Sequence, residues 1–143
     1  MRCITIESNR AEAAGIKYRS KRKRGLKMTT GQRKTEEKQN LRGGKGVTVF
    51  EYLLDEKQLD GRCRMFAKLT VKPHSSIGYH VHQGDSETYY ILSGRGVYND
   101  NQEKTYEVKP GDVTYTGSGF GHSVENTGDE DLVFIALIIY SDR

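Results

Sequence analysis

Apolar and polar residues alternate with a period of two over most of the chain beyond position 46. Between positions 62 and 71 the apolar set is Cys63, Met65, Ala67, Leu69 and Val71, with Arg62, Arg64, Lys68 and Thr70 between its members. Successive side chains of a strand point to opposite faces, so this pattern predicts a half-buried strand with the first set inward and the second outward. Similar stretches predict strands over 47–54, 87–92, 97–98, 105–108, 113–116 and 124–126. Turn chemistry separates them, in Leu59-Asp60-Gly61, Lys72-Pro73-His74, Asn99-Asp100-Asn101-Gln102, Lys109-Pro110-Gly111-Asp112 and Thr127-Gly128-Asp129. Frequent short strands with almost no helical period predict an all-β barrel or sandwich. The last stretch, 132–140, is apolar on both faces. Leu132, Phe134, Ala136, Ile138 and Tyr140 alternate with Val133, Ile135, Leu137 and Ile139, and only one set can fill the barrel. A second copy of the chain is the expected cover for the other, which predicts a homodimer.

The first 40 residues lack this pattern and are expected to form a basic, disordered extension, with one barrel domain over 41–143. Charge divides along a similar line. Residues 1–27 hold nine Lys/Arg against two Glu, a net +7, while residues 28–143 hold fourteen against seventeen, a net −3. The formal +4 is therefore a property of the tail. Lys21-Arg22-Lys23-Arg24 could touch an anionic surface, but only Tyr18 accompanies it, so no base-stacking platform exists and nucleic acid is not an expected partner. Met28 is an alternative start, and residues 1–27 are then dispensable. The longest apolar run, nine residues over 132–140, is too short to cross a bilayer. No apolar signal core precedes it, so the expected location is cytoplasmic. Cys3 and Cys63 make no disulfide framework, and Cys63 is expected as a free core thiol.

Candidate chemistry centres on His80 and His82, which stand two apart in a β-like stretch and so share a face. Glu87 opens the next strand after the polar turn 83–86, and His122 follows the Gly-rich run Gly117-Ser118-Gly119-Phe120-Gly121. Three imidazoles and one carboxylate suit a divalent manganese, iron, nickel, copper or zinc ion. Tyr89 shares a face with Glu87, and Tyr89 and Tyr115 are candidate substrate-binding residues at the mouth. His74, after Pro73, reads as solvated.

These residues resemble the two motifs of the cupins. His80, His82, Glu87 and Gly94 fit Gly-x5-His-x-His-x3-4-Glu-x6-Gly, with His74 in place of the leading glycine. Gly111, Gly119, His122 and Asn126 fit Gly-x5-Pro-x-Gly-x2-His-x3-Asn, with Gly117 in place of the proline. The stretch Leu41-Arg42-Gly43-Gly44-Lys45-Gly46 and the run Ser76-Ile77-Gly78-Tyr79-His80-Val81-His82 are similar to small bacterial single-domain cupins, some of which carry the name of oxalate decarboxylases. The resemblance implies a double-stranded β-helix, a small jelly-roll barrel, in which His80, His82, Glu87 and His122 hold one metal. It further implies manganese first among the metals and an anionic small carboxylate as ligand. The arginine that such decarboxylases place three residues before the first histidine is Ile77 here. Arg62, Arg64 and Arg95 are other sources of positive charge, although alternation places the first two outward. The first reading is a metal-dependent enzyme on a small oxygenated molecule: a decarboxylase, dioxygenase or isomerase. The alternative is a non-catalytic metal-dependent binding or sensing domain.

Overall fold

A computed structural model describes residue 31 and residues 33–141. The expectations for residues 1–27 and for Met28 lie outside the described residues. Ten strands occur among the latter: β1 (Thr35–Gln39), β2 (Val47–Tyr52), β3 (Cys63–Val71), β4 (Ser76–Val81), β5 (Asp85–Ser93), β6 (Gly96–Asp100), β7 (Lys104–Val108), β8 (Val113–Thr116), β9 (Gly121–Glu125) and β10 (Leu132–Tyr140). They form two antiparallel sheets, of order β1-β2-β3-β10-β5-β8 and β4-β9-β6-β7. Chain-adjacent strands from β3 onward cross repeatedly between the sheets, the winding of a double-stranded β-helix. No helix among the described residues is long and apolar enough to cross a membrane.

The core lies between the sheets. Leu69 and Val71 of β3, Tyr89 and Ile91 of β5, Tyr98 of β6 and Leu132, Phe134 and Ala136 of β10 are all buried in it. β10 occupies the middle of the larger sheet, bonded to β3 on one side and β5 on the other. Its inward set is Leu132, Phe134, Ala136 and Ile138. Val133, Ile135, Leu137 and Ile139 therefore line the outer face.

Three local features depart from simple alternation, and each bears on the site. A strand occupies Thr35–Gln39, inside the stretch expected as extension. Its sequence, Thr-Glu-Glu-Lys-Gln, has no apolar residue, so no period of two can be read from it. It forms because an edge strand needs only main-chain partners, and β2 supplies them in the register Glu37↔Val49. Lys38 then shares the inward face with Phe50 and Tyr52.

On β4, Ile77 pairs with Val124 and His80 with His122, so Gly78 and Tyr79 together oppose Ser123. This bulge brings both the buried Ile77 and His80 to the inner face, although they are three apart. On β3, Met65 pairs with Ile138 but Cys63 pairs with Ile139, and Arg64 is the extra residue. The bulge inverts the parity of everything before Met65. Arg64, expected outward, instead lines the interior pocket, and Cys63 stands half-buried opposite outward-facing Ile139 rather than in the core.

Candidate metal centre

The two sheets contribute opposite halves of one cluster. His80, at the end of β4, and His82, just beyond it, share the inner face of the smaller sheet. The β4–β9 ladder sets His122 directly opposite His80. Glu87 comes from β5 of the facing sheet, where it pairs with Ile138 and Thr116. One ligand atom from each residue lies within 4.8 Å of all the others. His122 Nε2 stands 3.1 Å from His82 Nε2, 3.2 Å from His80 Nε2 and 2.9 Å from Glu87 Oε2. Glu87 Oε2 is 3.2 Å from His82 Nε2 and 3.7 Å from His80 Nε2.

The outer nitrogens explain why the inner ones converge. His80 Nδ1 donates to Gly78 O at 3.0 Å and His82 Nδ1 donates to Asp85 Oδ1 at 2.7 Å. Both partners can only accept, so both Nδ1 atoms carry a proton, and in the neutral rings both Nε2 atoms present lone pairs to the centre. His122 Nδ1 lies 3.0 Å from the Tyr98 hydroxyl, which is 2.6 Å from Thr116 Oγ1. Tyr89 donates to Glu87 Oε2 at 3.2 Å, and its ring stacks on His122. Outer partners of this kind fix the tautomer and orientation of metal-binding histidines.

A divalent cation fits this set. Two ligands each about 2.1 Å from one ion stand about 3.0 Å apart at a right angle and about 3.4 Å apart at the tetrahedral angle. The separations above bracket both values. Four electron pairs facing each other in a buried space also call for a positive charge between them.

Without an ion, protons supply part of that charge. Burial pulls His82 down, yet hydrogen bonds to Glu87 and Asp85 outweigh it and hold the ring above its ordinary value. Burial wins at His122, which is lowered despite Glu87. Burial would raise Glu87, but the three histidines hold it well below the usual carboxylate range. The Tyr89 phenol is pushed far up by burial and by the Glu87 charge, so it stays a donor.

Above the cluster lies a pocket of about 400 Å³. His80, Glu87 and Tyr89 reach its floor, apolar side chains including Leu41, Phe50, Leu69 and Ile77 form the sides, and Lys38, Arg42 and Arg64 add three cations. Arg64 Nη1 also bonds Asp85 Oδ2 at 2.6 Å, so one buried carboxylate ties a pocket cation to the His82 ring.

The structure thus brings together His80, His82, Glu87, His122 and Tyr89. It does not bring Tyr115 to them. Tyr115 pairs with Thr88 on the outer face of the sheet and is 67% exposed, because the inward position of β8 at that register belongs to Thr116 opposite Glu87. The sequence reading missed Asp85, Tyr98, Lys38 and Arg42. Asp85, three residues past His82, falls in the stretch expected as a polar turn, whereas β5 begins there.

The model of the cupin domain matches residues 67–140. An oxalate-binding protein of Thermotoga maritima is 48% identical over 100 residues, which cover 70% of this chain and 82% of that protein. An oxalate decarboxylase of Bacillus subtilis is 36% identical over 75 residues, covering 50% of this chain and only 20% of that longer enzyme. Among solved structures, a predicted oxalate decarboxylase of Thermotoga maritima superposes with a TM-score of 0.75 at 43% identity, over 79% of this chain and 99% of that one. With a double-stranded β-helix, a converging three-histidine, one-glutamate cluster and a family match across more than half its length, the chain belongs to the cupin family.

Proposed function

We propose that this cupin holds a divalent metal through His80, His82, Glu87 and His122, and that metal and pocket together bind a small carboxylate anion. The observation that carries the reading is one largely apolar pocket that carries three cations and reaches the four-residue cluster through His80 and Glu87. Ligand sites commonly have this form, with apolar walls for burial and a few polar groups for orientation. The names of the oxalate-binding and oxalate-decarboxylating relatives support a small dicarboxylate. Manganese leads the candidate metals, ahead of iron, nickel, copper and zinc.

When bound, the ion supplies a Lewis-acidic charge for a carboxylate oxygen. The remaining functions belong to the chain. Asp85 and Gly78 fix the His82 and His80 rings, Tyr89 steadies Glu87, and the apolar walls exclude water from the anion.

Binding without turnover fits this pocket better than decarboxylation. Loss of carbon dioxide leaves a carbon that must be protonated, and a positioned acid is needed near it. Glu87 is the sole carboxyl among the described residues lining the pocket, and the histidines hold it anionic. The Tyr89 hydroxyl donates to Glu87 and is held protonated by burial. The test is calorimetric titration of the metal-loaded protein with oxalate, malonate and acetate, with formate assayed in parallel. Saturable carboxylate binding without formate is expected. Catalytic formate release would restore the decarboxylase reading, and no binding of any carboxylate would remove the proposal.

A further inference from the structure

The turn that joins β1 to β2 contributes no metal ligand, yet its backbone is held in an unfavourable shape. Asn40 and Arg42 adopt left-handed φ values of 49° and 56°. Asparagine visits that region readily, whereas an arginine there needs its surroundings to offset the cost. The offset comes from β4. A Cβ on Gly78 would collide with the carbonyl oxygen of Arg42, and one on Gly44 would collide with the carbonyl of Ser76 and stand 2.7 Å from Gly78 N. Two bonds fasten the turn to the start of β4: Ser76 N donates to Lys45 O at 2.8 Å, and Lys45 N donates to Ser76 Oγ at 2.9 Å. Gly78 also accepts the bond from His80 Nδ1. One glycine therefore touches the main chain of Arg42 and orients a cluster histidine.

The three pocket cations differ in what they already face. Arg64 is bound to Asp85. Lys38 lies 3.7 Å from Glu36 and over the Phe50 ring. Arg42 lines the same pocket and has no carboxylate partner among the described residues. An arginine on a turn fastened to β4, lining the pocket and unpaired among the described residues, is available to an incoming anion.

We propose that Arg42 is the specificity-determining residue of the pocket and reads the second carboxylate of a dicarboxylate whose first is held at the metal. The inference rests on the function proposed above. A guanidinium offers two parallel N–H donors that match one carboxylate, and an exposed Arg42 at the pocket can meet the outer end of an anion held below it. A monocarboxylate held at the metal has nothing to offer Arg42.

The test titrates metal-loaded parent, Arg42→Gln, Arg42→Lys and Arg62→Gln with oxalate, malonate, succinate and acetate, with metal content measured for each. Arg42→Gln should keep its metal, lose about 10- to 100-fold in affinity for the best dicarboxylate, and bind acetate within about twofold of the parent. Arg42→Lys should fall between, since it keeps the charge but not the fork. Arg62→Gln, which removes an exposed arginine outside the pocket lining, should retain the preference for two carboxylates. A dicarboxylate-to-acetate ratio unchanged in Arg42→Gln overturns this inference and leaves the functional reading standing. So does an equal loss of both ligands. A parent that binds no carboxylate overturns both.

Discussion

Replacing Asp85 with asparagine tests whether the carboxylate behind His82 acts on the metal or merely fills space. Asp85 is only 2% exposed on its side chain and accepts from His82 Nδ1 at 2.7 Å and from Arg64 at 2.6 Å. In Asp85→Asn the new side chain would keep an oxygen for His82 but lose the charge, and its amide would face the guanidinium as donor against donor. A hydrogen bond to a charged group is worth about 1.5–3 kcal/mol net. The Arg64 half of the interaction counts for less, because that side chain is 42% exposed and can turn to water. A total loss of about 1–2 kcal/mol follows, or a fall of about 3–8 °C in melting temperature for a domain of this size. The effect on metal should be the larger one. Loss of an outer partner of a ligand histidine commonly costs about 10- to 100-fold in affinity. Competition against a chelator of known affinity measures this, alongside melting of metal-free and metal-loaded protein. A variant that melts lower yet binds metal within twofold of the parent would refute the reasoning, because Asp85 would then stabilise the fold without tuning His82.

Three further outcomes follow from the same geometry. The double variant His82→Ala/His122→Ala should purify without metal, and stoichiometric metal by elemental analysis would remove the cluster as the site. Metal affinity should fall as pH drops from about 8 through 6.5, because the raised His82 holds a proton that the ion must displace. The sign runs opposite for the metal-free fold, where protonated His82 stabilises below 6.5 and that contribution is lost as pH rises through its raised value. Titration in buffers of different ionisation enthalpy counts the released proton, and affinity unchanged between about pH 8 and 5.5 defeats the assignment. Finally, the outer face of the larger sheet presents Ile139, 43% exposed, with Val113, 63% exposed, and β1 extends that sheet's edge without covering its face. Burying each such side chain gains about 1.5–3 kcal/mol, so light scattering should find a dimer at micromolar concentration and a monomer for Ile139→Glu. A monomeric parent ends that expectation.

The barrel was legible wherever one face of a strand is apolar. Leu69, Val71 and Ala67 follow the count on β3, and the turns at Pro73 and Pro110 fall where the strands stop. On β10 both faces are apolar, so the sequence leaves open which set points inward. Only the pairing with β3 and β5 decides it, placing Ile138 over the pocket and Ile139 outside. β1 was not legible, since a wholly polar edge strand carries its information in the partner's backbone.

The cluster residues could be found because a histidine pair at i and i+2 reports its own geometry, and motif spacing adds the distant members. The wall of the pocket had no such signal. Parity counting fails at a bulge, because one uncounted residue inverts every side chain beyond it, and Arg64 sits on that residue. Arg42 projects from a turn with left-handed backbone, where no period exists to count. Arg42, which the proposal sets on the ligand, and Arg64, which is bound to Asp85 behind His82, thus both come from irregular positions of the fold. Strand ladders set His122 opposite His80 and Glu87 opposite Ile138, whereas Arg42 and Arg64 reach the pocket from a turn and a bulge, and Lys38 from the edge strand β1. Neither irregularity is independent of the cluster: the Arg64 bulge lies in the β3–β10 ladder, and the Arg42 turn packs on Gly78, which orients His80.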